Sequence, residues 1–76
     1  MTWLVTGGAG YIGAHVVRAM VGDGQQVVAL DDLSTGDPAR IHGAVLVEGS
    51  VLDRALVRRV LREREITGVV HIAAKK

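Results

Sequence analysis

Apolar positions fall into two kinds of block. Four are short and nearly continuous: Trp3-Leu4-Val5 within Thr2 to Val5, Val27 to Leu30, Ala44 to Glu48, and Thr67 to Ala73. Runs of this length, bounded by Gly, Asp or Ser, predict strands buried on both faces, as in a parallel sheet. Two further blocks repeat at helical spacing. Ile12, Val16, Val17 and Met20 form a stripe on a helix from Tyr11 to about Val21, with His15 and Arg18 outside it. Gly22 or Gly24 is placed to end that helix. Leu56, Val57, Val60 and Leu61 form the second stripe, on a helix from Arg54 to about Glu65. Asp53 precedes it as an N-cap. Asp31 to Gly43 is a loop rich in Asp, Ser, Gly and Pro, and at about a dozen residues it is too short for a full crossover helix.

The order is therefore β-α-β-loop-β-α-β. Right-handed crossovers then fix the strand order as 3-2-1-4, with the chain reversing direction between strands 1 and 4. This is an α/β fold: the first half of a Rossmann-type parallel sheet with flanking helices. A doubly wound nucleotide-binding unit is usually about twice as long. Residues 1–76 thus read as the N-terminal part of such a domain, with any substrate-binding half absent. Ligands bind such sheets at the switch point, beyond the strands' C-terminal ends.

That edge carries the chemistry. Thr6-Gly7-Gly8-Ala9-Gly10-Tyr11-Ile12-Gly13 runs from the first strand into the first helix. The first glycines allow positive φ, and Gly10 removes the side chain that would hold a phosphate off the backbone. Gly13 lets the helix lie close to the strand it came from. The N–H groups near Tyr11 and Ile12, with the helix dipole, favour an anion. A glycine-rich turn alone would be weak evidence. Asp31, about 20 residues on at the tip of the second strand, is the acid that accepts from an adenosine ribose. Together they predict dinucleotide binding. A 2′-phosphate would sit against the charge of Asp31, and no Arg directly follows it, which favours NAD over NADP. Asp32 and the Ser34-Thr35-Gly36 turn read equally well as cofactor contacts or as solvated turn residues.

Composition narrows the classes further. The chain has no cysteine, which excludes a disulfide framework and a thiolate metal site, and points to a cytoplasmic setting. Net charge is +1, giving no large field for nucleic acid. The arginines at 54, 58, 59, 62 and 64 are interleaved with glutamates and lack aromatics, so they read as a solvated helix face. His15, His42 and His71 lack metal-ligand spacing, and no metal is expected. His71 reads as a packed structural histidine. Nothing marks Tyr11 as an acid or base.

Four segments then carry a resemblance: the glycine motif with His15, Asp31-Asp32-Leu33-Ser34-Thr35-Gly36, Val47-Glu48-Gly49, and Val69-Val70-His71-Ile72-Ala73-Ala74-Lys75-Lys76. Together they resemble the start of the extended short-chain dehydrogenase/reductases, and within them the UDP-sugar 4-epimerases. The resemblance spans the chain but only about the first quarter of such an enzyme. It implies an NAD cofactor and a UDP-sugar substrate. It also implies galactose metabolism and a possible homodimer, with no nucleic acid or membrane partner.

By this resemblance Gly7, Gly10 and Gly13 shape the phosphate turn, and Tyr11 and Ile12 donate backbone N–H groups to the pyrophosphate. Asp31 holds the ribose, and Asp32, Leu33, Ser34, Thr35 and Gly36 line the adenosine end. Ile72, Ala73 and Ala74 flank the nicotinamide half, and Lys76 reaches its ribose or a phosphate. The chain departs from the family pattern twice. Asp32 replaces a common Asn, and Ser50 replaces an Asp that accepts from adenine, which leaves the base to Ser50 and the backbone of Val51. The family's Tyr-x-x-x-Lys pair is missing: Tyr11 is followed four residues later by His15. No catalytic residue is expected in this chain, and it should be inactive alone. Another nucleotide-sugar epimerase or dehydratase, and a non-catalytic dinucleotide-binding module, remain as alternatives.

Overall fold

The computed structural model describes residues 2–33 and 37–72. Four parallel strands, β1 (Thr2–Thr6), β2 (Gln26–Asp31), β3 (Val45–Glu48) and β4 (Gly68–His71), form one sheet in the order β3-β2-β1-β4. Helix α1 (Tyr11–Gly22) joins β1 to β2, and α2 (Arg54–Glu63) joins β3 to β4. Among its described residues the β2–β3 connection holds a single 3-10 turn at Pro38–Arg40, in keeping with its short length. The fold is the expected half of a Rossmann-type sheet.

Alternation along the central strands makes two cores. Leu4, Val28 and Leu30 pack with Val60, Leu56 and Val57 of α2. Val5, Val27 and Ala29 pack with Val17, Met20 and Val21 of α1. The helices therefore cover opposite faces of the sheet. Leu4 and Leu30 are fully buried; each contributes about 1.5–3 kcal/mol.

The stripe expected on α1 is shifted. Ile12 is 66% exposed, and the buried residues are Gly13, Ala14 and Val17. At about 100° per residue, Ile12 lies off the face that Gly13 and Val17 share. The face nearest the sheet is made by small residues, which an apolarity pattern overlooks. Leu61 on α2 is likewise half out of its core, at 37% exposure.

Helix ends follow local hydrogen bonding. Past α1, Gly24 is left-handed (φ 83°), the Gly24 N–H donates to Val21 O and the Gln25 N–H to Met20 O, both at 3.0 Å. This is a Schellman stop, and it settles Gly24 over Gly22. Asp53 caps α2 by accepting from the Leu56 N–H at 3.1 Å. The same stop ends α2 two residues earlier than expected. Glu65 takes the left-handed position (φ 52°), and the Ile66 N–H donates to Leu61 O at 3.1 Å. Strands β3 and β4 are also shorter than their apolar runs.

Candidate functional site

The parallel registers bring the C-terminal ends of all four strands to one edge. Thr6 pairs with Leu30 and with His71, and Asp31 pairs with Glu48. At this edge β1 leaves the sheet through the glycine turn. Gly7 alone of the first glycines has positive φ (73°); Gly8 does not. Gly8 is needed for close approach, since a Cβ there would lie 2.6 Å from Ala29 Cβ. Gly13 is needed for the same reason. Its Cβ would collide with the Gly7 carbonyl oxygen and come within 2.9 Å of Gly8 Cα. At Gly13 helix α1 thus rests on the turn itself, while Val17, one turn on, packs against the strands.

Gly10 differs from these. A Cβ there would meet only the Gly7 oxygen, at 3.4 Å, an ordinary contact. The chain's own packing does not demand a glycine at this position. Gly10 is the N-cap of α1, with no side-chain cap and no acid in the first turn. The first helical bond runs from the Ala14 N–H to Gly10 O at 2.8 Å. The N–H groups of Tyr11, Ile12 and Gly13 therefore lack a helical acceptor. The contrast with self-capped α2 is informative. The start of α1 is an open anion seat, and the cradle before it is one that a side chain would fill.

Asp31 is nearly buried, and each carboxylate oxygen holds one backbone amide. Oδ2 accepts from the Ala9 N–H at 2.9 Å and Oδ1 from the Leu33 N–H at 2.8 Å. The tip of β2 is thereby tied to the glycine turn. A carboxylate has about four acceptor positions, so about two are left over by these partners among the described residues. Leu33 is left-handed (φ 62°), bent round by its bond to Asp31. Asp32 is half-buried beside it.

Across the sheet, Ser50 Oγ accepts from the Leu52 N–H at 3.0 Å, which shapes the turn after β3. The Val51 side chain packs into the α2-side core, which leaves its backbone at the edge. Ile72 packs against the α1-side core. The candidate positions Ser34, Thr35, Gly36, Ala73, Ala74 and Lys76 lie outside the described residues.

Two residues that the motifs did not single out as site residues belong to this edge. Buried Thr6 bonds His71 Nδ1 through Oγ1 at 2.6 Å and accepts from the Ile72 N–H at 3.2 Å, which locks β1 to β4. His71 is not the packed histidine expected: its side chain is exposed, and it is held by this bond to Thr6 instead. Arg40 donates from Nη1 to Ala9 O at 3.3 Å. Only the folded loop brings it there.

Tyr11 is 71% exposed, with its ring edge-on to His15 at 4.9 Å. The α2 arginines face outward, and Arg59 pairs with Glu63 at 3.6 Å in solvent. Among the described residues no cluster of His, Cys, Asp or Glu could hold a metal, and no helix is long and apolar enough to cross a membrane.

Residues 3–76 match the model of the NAD dependent epimerase/dehydratase family. The chain is 42% identical to the UDP-glucose 4-epimerase of Haemophilus influenzae, over all of this chain and 25% of that protein. Among solved structures, the UDP-glucose 4-epimerase of Thermotoga maritima with UDP-glucose superposes with a TM-score of 0.94 at 37% identity, over 99% of this chain and 25% of that one. The Thermus thermophilus UDP-glucose 4-epimerase in complex with NAD gives 0.93 at 39%, over 99% and 24%. The chain thus spans about a quarter of the length of the relatives it matches. Given the glycine turn, the tie of Asp31 to it and a family match over nearly every residue, the chain belongs to the NAD dependent epimerase/dehydratase family.

Proposed function

We propose that this chain holds the adenosine and pyrophosphate half of NAD as the N-terminal part of a UDP-glucose 4-epimerase. Such an enzyme interconverts UDP-glucose and UDP-galactose at C4 through a 4-keto sugar. The observation that carries the reading is the uncapped start of α1 behind Gly10, where a Cβ would meet nothing but Gly7 O. The relatives solved with NAD and with UDP-glucose support it.

NAD, when bound, supplies a reversible hydride acceptor for the sugar's C4. This chain's residues bind and orient. The first-turn amides of α1 hold the pyrophosphate, and Asp31 accepts from the ribose while keeping Ala9 in place. Ser50 and the Val51 backbone face the base. Thr6 fixes β4 beside β1, which sets Ile72 at the nicotinamide half. No residue here takes the hydroxyl proton, because Tyr11 has no lysine partner. In this reading the full-length protein works in the cytoplasm in galactose metabolism and forms a homodimer, as the resemblance implies.

The test is a coupled assay of UDP-galactose conversion to UDP-glucose, using the natural gene product with NAD. Turnover that depends on NAD supports the reading. NAD binding without any C4 epimerisation would move the protein to another nucleotide-sugar chemistry of the family.

A further inference from the structure

One hydroxyl closes the rim of the crevice between β1 and β4, where the chain reverses direction. Thr6, the last residue of β1, is buried and pairs with His71, the last residue of β4. The Ile72 N–H donates to Thr6 twice, to its carbonyl oxygen at 3.1 Å and to Oγ1 at 3.2 Å. Oγ1 also lies 2.6 Å from His71 Nδ1. A hydroxyl has one hydrogen and two lone pairs. Ile72 takes one lone pair, so the hydrogen goes to Nδ1, the other partner of Oγ1 among the described residues. The opposite sense, with Nδ1–H donating to Oγ1, would leave a buried hydroxyl hydrogen without an acceptor. The hydrogen-bond network thus assigns His71 as the Nε2–H tautomer. Burial does not hold this exposed ring; the Thr6 bond does.

We propose that His71 is a positioning residue for hydride transfer. By taking the Thr6 hydroxyl hydrogen, Nδ1 turns an Oγ1 lone pair onto the Ile72 amide and fixes the backbone that leaves β4. The inference rests on the NAD reading above, in which that backbone flanks the nicotinamide half. The groups that set NAD affinity lie elsewhere, in the first-turn amides of α1 and in Asp31, whose partners are Ala9 and Leu33. Hydride transfer needs its two carbons aligned, and a misplacement of about 1 Å costs about a hundredfold in rate. Loss of the Thr6–His71 bond should therefore appear in kcat and hardly in NAD affinity.

The test measures kcat for UDP-galactose epimerisation and the NAD dissociation constant in the natural gene product and its variants. His71→Ala and Thr6→Val should each lower kcat about tenfold or more, with NAD affinity within about threefold of the parent. The double variant should be no slower than Thr6→Val, because both changes break the same bond. His71→Asn puts an amide oxygen where Nδ1 stands and should recover most of kcat; His71→Gln puts its amide nearer Nε2 and should not. If Thr6→Val does not fold, the His71 series carries the test. Nitrogen NMR of the parent's ring should show a bare Nδ1 and a protonated Nε2. An unchanged kcat in folded His71→Ala, additive losses in the double variant, or parallel losses of kcat and NAD affinity would overturn the proposal. A proton on Nδ1 would overturn it as well. A parent that binds NAD but epimerises no UDP-sugar would refute the activity reading itself, and the proposal with it.

Discussion

Replacing Asp31 by Ala removes both acceptors that tie β2 to the glycine turn. The lost bonds are from the Ala9 N–H at 2.9 Å and the Leu33 N–H at 2.8 Å. Hydrogen bonds to a charged group contribute about 1.5–3 kcal/mol each. The Ala9 amide is buried and would be left without a partner, whereas Leu33 is half-buried and recovers some water. The expected cost is about 3–5 kcal/mol. A domain of this size is held by only about 4–11 kcal/mol. Asp31→Asn keeps one acceptor oxygen but presents an NH2 to the other amide, so its cost should be about half as large. Native-state hydrogen exchange followed residue by residue reads this directly. In Asp31→Ala the Ala9 and Leu33 amides should lose protection by a factor of a hundred or more, as about 3 kcal/mol requires. Urea unfolding should report the same loss globally. Unchanged protection of the Ala9 amide in a folded Asp31→Ala variant would refute the tie. Asp31 would then be a ribose contact alone.

Two further substitutions test the elements around the site. Gly13→Ala drives a Cβ into the Gly7 carbonyl and against Gly8 Cα. Neither backbone group can yield without moving α1 off the turn, so thermal and urea unfolding should show a loss of at least about 2 kcal/mol; a variant as stable as the parent would mean that α1 does not rest there. Glu65→Gly should stabilise the protein by about 1 kcal/mol, because Glu65 occupies a left-handed helix stop where glycine is unstrained. A lower urea midpoint in that variant would contradict the stop seen after α2.

The sheet order and the edge where the glycine turn meets Asp31 were legible because they rest on period and topology. A short unbroken run such as Val27 to Leu30, bounded by turn residues, fits a strand covered on both faces, and crossovers between parallel strands leave one handedness. Asp53 was legible as a cap because its chemistry is local: it reaches an amide three residues on. What the pattern missed is set by contacts distant in sequence. Ile12 looked like core because it is apolar, but the close face of α1 belongs to Gly13 and Ala14, whose smallness carries no hydropathy signal. Asp31 was legible as an acid at a strand tip. Its bond to Ala9, 22 residues away, was not. Arg40 and Thr6 act through Ala9 and His71 respectively, and no spacing rule connects such pairs. The stop at Glu65 was hidden because glutamate is a helix former, and only its backbone angle shows where α2 ends.

The most direct test of the central claim is an NAD titration of Gly10→Val in the natural gene product, beside its thermal unfolding. The new Cβ meets only Gly7 O at 3.4 Å, so the stability cost should be that of a poorer N-cap, about 0.5–2 kcal/mol. It fills the space in front of the Tyr11 and Ile12 amides, so two charge-assisted bonds to the pyrophosphate are lost, and NAD affinity should fall by about a hundredfold or more. A folded Gly10→Val protein that binds NAD as tightly as the parent would contradict the assignment of this turn as the phosphate site.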